Sequence, residues 1–170
     1  SWKGHLIAIK IINDFYKKNY FKINFELRLY GKGTEKTKIE KFINTNSINY
    51  IKLIDNIKNT DVIFNEIDIL IHPSLNEGLG LVILEALQNG KPCIVSNRGA
   101  MKEMIKHKSN GYIFNFDQKE TLVKGILYCK DNYKYISENN LIKIKDFNIN
   151  IMILKYNELY KQCVLKQIKD

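Results

Sequence analysis

The hydrophobic and polar positions of this chain alternate between two periods. Ile23–Tyr30 alternates apolar and polar residues strictly, and this period of two predicts a strand. Gly4–Tyr20 before it and Thr34–Thr45 after it have helical spacing, with Thr34 as the expected cap of the second helix. Further predicted strands are Tyr50–Ile54, Ile69–Ile71, Pro92–Ser96 and Gly111–Phe114, and further predicted helices are Thr60–Glu66, Leu79–Leu87, Ala100–Lys106, Gln118–Tyr128, Tyr133–Ile144 and Ile149–Ile168.

The order of these elements predicts the fold class. Strand–helix units with short connections form a parallel sheet with helices on both faces, which is a doubly wound α/β fold. The 170 residues suffice for one domain with its own core. Ligands bind such sheets beyond the carboxyl ends of the strands. The polar and glycine-containing loops lie there: Gly31–Gly33, Asp55–Asn59, His72–Gly80 and Asn97–Ala100.

The charge of the chain raises the question of a nucleic-acid or membrane partner. The formal net charge is +9, but the lysines are scattered at helical spacings, as on a solvated face. No Lys or Arg occurs between Asn59 and Gly90, a window that holds five carboxylates. We therefore expect no nucleic-acid binding. No apolar run approaches the ~20 residues that a membrane-spanning helix needs.

The cysteines and the first residues bear on the setting of the protein. Cys93, Cys129 and Cys163 form no C-x-x-C pair, which favours buried thiols in a reducing, cytoplasmic compartment. The chain begins Ser-Trp-Lys-Gly, and we expect it to be a fragment of a longer protein.

The stretch His72–Pro92 carries the candidate chemistry. Gly78 and Gly80 permit a sharp bend, and the helix that follows offers free N–H groups to an anion such as phosphate. Glu77 lies in the bend and Glu85 lies within the helix, and carboxylates suit sugar hydroxyls as acceptors. The pattern indicates a phosphate flanked by hydroxylated groups, as in a nucleotide sugar. Alternatively, Glu85 pairs with a lysine or a backbone donor and is only structural.

These residues resemble a known family. P-S-L-N-E-G-L-G-L-V-I-L-E-A-L-Q-N-G-K-P resembles the E-x7-E motif of group 1 (family 4-like) glycosyltransferases of the GT-B architecture. W-K-G, L-R-L-Y-G-K-G, N-G-Y-I-F and F-N-I-N…Y-N-E-L-Y are similar to further motifs of that family, in the same order along nearly the whole chain. The resemblance implies a Rossmann-like, C-terminal donor-binding domain whose first strand and N-terminal acceptor domain are missing.

The resemblance also implies an activity. The enzyme would transfer a sugar from a nucleoside-diphosphate sugar to an acceptor hydroxyl of a glycan or lipid, with retention and without metal or cofactor. The isolated domain would be inactive, and the full-length enzyme is compatible with peripheral association at the inner face of the membrane. Two other classes stay open: a GT-B-like epimerase or phosphorylase, and a non-catalytic basic module that binds lipid or nucleic acid.

The resemblance assigns roles by position. Glu77 would bind hydroxyls of the donor sugar near the reacting carbon, and Lys3 would neutralise the diphosphate leaving group. Glu85 would hold the ribose hydroxyls. The remaining positions would offer backbone N–H groups to the sugar or phosphate or let the chain pass close to the nucleotide: Gly78, Leu79, Gly80 and Gly33.

Further candidates follow from the residues themselves. Arg98 and Lys32 could reach the diphosphate, although each could equally be an ordinary surface residue. His72 falls where the family pattern is usually apolar, so we expect a packed or hydrogen-bonded histidine rather than a catalytic one. His5 and His107 are expected at the surface. The chain has no D-x-D pair at a strand's carboxyl end and no G-x-G-x-x-G, so we expect neither a metal site nor a dinucleotide.

Overall fold

The computed structural model describes residues 2–55 and 60–167 and confirms the alternation of strands and helices. The strands are β1 (Leu27–Tyr30), β2 (Ile51–Ile54), β3 (Leu70–His72), β4 (Cys93–Ser96) and β5 (Gly111–Phe114). The helices are α1 (His5–Lys17), α2 (Lys36–Thr45), α3 (Thr60–Glu66), α4 (Leu81–Gln88), α5 (Met101–Met104), α6 (Glu120–Asp131), α7 (Tyr133–Lys143) and α8 (Ile149–Gln167), with a 3₁₀ helix at Ile144–Phe147. The predicted loop Asp55–Asn59, beyond its first residue, and the predicted helix end at Ile168 lie outside the described residues.

The strands form parallel pairs with helices on both faces, as predicted for a doubly wound fold. β1 pairs with β2, and β4 pairs with both β3 and β5. Side chains of β4 alternate between the two faces: Ile94 packs into the cluster that contains α1 and α6, whereas Cys93 and Val95 pack into the cluster that contains α3, α4 and α5. This period of two is what a strand buried on both faces produces.

A cleft separates the β1–β2 pair from the β3–β4–β5 sheet. All residues of β1 and β3 line a cavity of about 1140 Å³, to which β4 contributes nothing. Helix α1 spans the cleft and packs against α6. Apolar side chains of α1 and of the two facing strand regions contribute to its lining: Ala8, Ile9, Ile12, Leu27, Leu29, Ile69 and Ile71.

Several predicted boundaries differ from the structure, and three of them have a local reason. The first strand is shorter than Ile23–Tyr30, because its ladder with β2 runs only from Leu27 to Tyr30. Thr34 does not cap α2; the residue before the helix is Glu35, and it makes no capping hydrogen bond through its side chain. Helix α4 begins at Leu81 rather than at residue 79, because Gly80 adopts the left-handed conformation at φ 59°.

Helix α4 is also less buried than its apolar sequence predicts. Ile83, Ala86 and Leu87 are fully buried, but Leu79, just before the helix, and Leu81, in its first turn, are exposed. Among the apolar side chains, only those at the start of the helix are therefore open, since Val82 and Leu84 are half-buried and pack against the same core.

The cysteines are only partly as expected. Cys93 and Cys129 are buried, whereas Cys163 on α8 is exposed, which corrects the expectation of a buried thiol there. Helix α8 also exposes a run of large apolar side chains: Ile149, Ile151, Met152, Ile153, Leu154, Tyr156, Leu159, Tyr160 and Val164. Within the described ranges, no helix has the length and apolar character to cross a membrane.

Candidate functional site

The loop between β3 and α4 is held from two sides by other loops. The N–H group of Leu75 donates to the carbonyl oxygen of Trp2 at 2.7 Å, and the N–H group of Ala100 donates to the carbonyl oxygen of Glu77 at 3.2 Å. Gly99, at φ +65°, lies so close that an added Cβ would be 2.7 Å from the Glu77 carbonyl oxygen. The loop that carries Glu77 is therefore held by contacts from two distant parts of the sequence, one of which reaches the Glu77 backbone itself.

The carboxylate of Glu77 is anchored through one of its oxygens. Lys3 Nζ lies 2.8 Å and His72 Nε2 lies 3.1 Å from Oε2 of Glu77. No donor among the described residues contacts the other oxygen, Oε1. Lys3, in the first place, and His72 hold the pKa of the Glu77 carboxyl below its usual range. The group is therefore an ionised acceptor with one oxygen available to a ligand.

A close backbone approach brings Lys3 to this carboxylate. Gly4 precedes α1 in the left-handed conformation at φ +68°, and an added Cβ would lie 2.1 Å from the carbonyl oxygen of Pro73. Only a glycine permits that contact. The approach places Lys3 beside the carboxyl end of β3, where Glu77 lies 74 residues further along the chain.

Glu85 lies on α4 and lines the same cleft as Lys3 and His72. Its side chain is half-buried, and in the described part of the chain its carboxylate has no hydrogen-bond or ion-pair partner. The alternative that Glu85 pairs with a lysine or a backbone donor is therefore not supported. A half-buried carboxylate without a protein partner is available to hydroxyl groups of a ligand.

The other sequence candidates divide into two groups. Lys32 and Gly33, after β1, line the cleft on the side opposite Glu85, and nothing lies within 4 Å of where a Gly33 Cβ would be. Gly78, Leu79 and Gly80 form the bend before α4 and do not line the cavity itself. The space around Gly78 is open, so the backbone of the bend is accessible there.

Arg98 does not point toward the cleft. Its side chain is exposed, and its Nη2 lies 3.4 Å from Oδ2 of Asp117. The loop that carries it nevertheless touches the backbone of Glu77 through Gly99. Contact of Arg98 with a diphosphate stays a prediction and would require the side chain to leave Asp117.

The expectations for two histidines are confirmed, and that for a third is wrong. His72 is hydrogen-bonded, as expected, but its partner is the central carboxylate of the site. His5 is half-buried and lines the cleft, which corrects the expectation that it lies at the surface, whereas His107 is exposed as expected. The signal for His72 was its place at the end of a strand, five residues before Glu77.

No group of three or more His, Cys, Asp or Glu side chains within residues 2–55 and 60–167 is arranged to hold a metal ion. Lys3, His72 and Glu85 line the cleft, and Glu77 contacts both Lys3 and His72. A metal-independent reaction stays a prediction.

Comparisons with known proteins identify the family. Residues 1–145 match the family described as glycosyl transferases group 1. Protein CapJ of Staphylococcus aureus is 30% identical over 173 residues, which cover 96% of this chain and 43% of that protein. The chain thus spans less than half the length of this relative.

Solved structures agree on the fold. A glycosyltransferase from Rickettsia africae has a TM-score of 0.81 at 23% identity, over 96% of this chain and 45% of that one. Alr3699/HepE of Anabaena in complex with UDP has a TM-score of 0.80 at 21% identity, over 95% and 46% of the two chains. The same Anabaena protein has also been solved with UDP-glucose. With its parallel sheets, helices on both faces and match to the family over most of its length, this chain belongs to the group 1 glycosyltransferases of the GT-B architecture.

Proposed function

We propose that this domain binds a nucleoside-diphosphate sugar at the rim of the cleft between β1 and β3. The enzyme that contains it transfers the sugar to an acceptor hydroxyl. The observation that carries the proposal is the arrangement of Glu77: one oxygen is anchored by Lys3 and His72, and the other has no partner in the described part of the chain. The Anabaena neighbour with bound UDP and UDP-glucose supports a uridine donor as the first to test.

Each charged group has a role in this proposal. Oε1 of Glu77 accepts a hydrogen bond from a hydroxyl of the donor sugar, and Glu85 accepts bonds from the two ribose hydroxyls. As the bond between the sugar carbon and the diphosphate breaks, the electron pair stays on the diphosphate. Lys3 stabilises this developing charge. The acceptor oxygen forms the new bond to the sugar carbon, and its proton passes to the departing diphosphate oxygen.

Lys3 has two competing partners in this scheme. Its ammonium contacts Glu77, and its side chain is 38% exposed, which leaves it room to move. An ammonium has three donors, so a phosphate placed at the rim can share or take over this lysine. The ion pair therefore keeps Lys3 close to the position that the diphosphate would occupy.

The cleft supports one further part of the proposal. We propose that a strand precedes α1 and fills the space between β1 and β3. Within residues 2–55 and 60–167, no strand pairs with β1 or β3 on the side of the cleft, and their apolar side chains are only half-buried. A parallel strand in this space would end at the carboxyl edge of the sheet, where Trp2 and Lys3 lead into α1. The proposal also includes an N-terminal acceptor domain before that strand. The acceptor is a glycan or a lipid-linked molecule, and the transfer retains the configuration of the sugar carbon.

Calorimetry with the protein at its natural length tests the donor site. UDP-, GDP- and ADP-sugars are titrated into the native protein, Glu85→Ala and the control Glu138→Ala, whose exposed carboxylate lies on α7. We expect one class of nucleotide sugar to bind and only Glu85→Ala to weaken it. Equal binding to all three proteins would refute the role of Glu85. Product analysis with an acceptor separates a transferase from an epimerase or phosphorylase.

A further inference from the structure

We propose that His72 is a positioning residue for the Glu77 carboxylate: it keeps that group oriented toward the donor sugar when Lys3 turns to the diphosphate. The inference rests on the proposed function of this site and adds a residue to it. Lys3 and His72 contact the same oxygen, Oε2, and therefore give the carboxylate two independent attachments.

The two attachments differ in rigidity. His72 is the last residue of β3, it is 8% exposed, and its backbone lies in the ladder opposite Val95 of β4. Its imidazole has few conformations available. Lys3 precedes α1 on a long, flexible side chain that is 38% exposed. His72 is therefore the fixed support of Glu77, and Lys3 is the movable one.

Lys3, the movable support, is the one that the diphosphate of the donor attracts away from Glu77. A diphosphate at the rim carries more negative charge than a single carboxylate and competes with Glu77 for the ammonium of Lys3. Without His72, Oε2 would then lose its remaining donor among the described residues, and the carboxylate could rotate about its side-chain bonds. With His72 in place, Oε2 stays tied and Oε1 continues to face the ligand.

The imidazole can act as a donor whether or not it is charged. Burial lowers the pKa of His72, while Glu77 acts in the opposite direction and Lys3 adds to the lowering. His5, which also lines the cleft, is close enough for His72 to contribute to the lowering of the His5 pKa. The neutral ring donates to Oε2 when it carries its hydrogen on Nε2. The protonated ring carries a hydrogen on Nε2 in any case and donates in the same way.

The test compares two replacements that differ in one donor. In His72→Gln the amide nitrogen reaches about as far as Nε2 and can donate, whereas His72→Met has similar length and no donor. In the natural-length enzyme we expect His72→Met to lower kcat/KM for sugar transfer by about tenfold or more, the typical effect of losing a hydrogen bond to a charged group. The loss falls mainly on kcat, and His72→Gln restores most of it.

A double-mutant cycle with Glu77→Gln shows whether His72 acts through Glu77. We expect His72→Met to have less than about a twofold further effect when Glu77→Gln is already present. An equal loss in both backgrounds, or no loss in the native background, would overturn the proposal. If Glu77→Gln itself leaves transfer unchanged, the proposed function of Glu77 fails instead, whatever His72→Met does.

Folding of the variants is controlled separately. Thermal unfolding is recorded for each protein, and His72→Asn is added, since its amide stops near the position of Nδ1 and cannot reach Oε2. If His72→Met does not fold, the comparison of the two amides decides: activity in His72→Gln but not in His72→Asn supports the proposal, and equal activity of the two overturns it.

Discussion

Replacing Gly4 by alanine should destabilise the protein and separate Lys3 from Glu77. Gly4 has φ +68°, and an L-residue in this left-handed region costs roughly 1–2 kcal/mol. The added methyl group would also lie 2.1 Å from the carbonyl oxygen of Pro73, so that α1 or the loop after β3 has to move by more than about 1 Å. Such overpacking typically costs about 1–3 kcal/mol. We expect a total near 3 kcal/mol.

Thermal and urea unfolding measure this effect. For a domain of this size, ~3 kcal/mol corresponds to a decrease in Tm of roughly 6–12 °C. Gly33→Ala is the matched control, because its Cβ meets no heavy atom within 4 Å and its backbone has no positive φ. It should stay within ~0.5 kcal/mol of the native protein. If Gly4→Ala unfolds at the same temperature as Gly33→Ala, the close approach of Gly4 to Pro73 does not exist in solution.

Three further outcomes are expected. Because the pKa of Glu77 is lowered in the folded protein, its ionised carboxylate stabilises the fold at pH values above the ordinary glutamate range. This stabilisation is lost only as the pH falls through the lower folded-state pKa. Urea unfolding of the native protein and of Glu77→Gln between about pH 7 and pH 3 measures the loss. Glu85→Gln should change the free energy of unfolding by less than ~0.5 kcal/mol, because the carboxylate has no partner in the described part of the chain, yet it should weaken donor binding in calorimetry. An aromatic disulfide reagent should modify Cys163 quickly and the buried Cys93 and Cys129 slowly, since burial raises the pKa of Cys129 to about 12 and that of Cys93 further.

The periodicity of the sequence predicts the fold class, and for some elements it predicts both the first and the last residue. The strand Gly111–Phe114 and the helix Thr60–Glu66 have the predicted limits. The strand before Gly31 does not, because alternation reports which side chains face the core and carries no information about the length of the partner strand. Residues 23–26 alternate but lie outside the ladder with β2.

The contacts within the site required the tertiary structure. Lys3 and Glu77 were both assigned from motifs, but their direct contact depends on the left-handed Gly4 and its approach to Pro73. No local pattern reports an approach of two segments so far apart in the sequence. The family pattern is usually apolar at His72, which indicates a packed or hydrogen-bonded side chain, but a pattern cannot show that its partner is a carboxylate a few residues later.

The distribution of charge along the chain explains why the site depends on the approach of Lys3 to Glu77. The segment from Asn59 to Gly90 contains both Glu77 and Glu85 and no lysine or arginine, so it cannot by itself neutralise a diphosphate. The positive side chains that line the cleft lie outside this segment, and Lys3, before α1, and Lys32, after β1, are among them. A donor bound as proposed therefore has its phosphates toward these lysines and its sugar and ribose hydroxyls toward the two carboxylates. The opposite orientation would set phosphate charge against Glu85, for which the described residues provide no counterion.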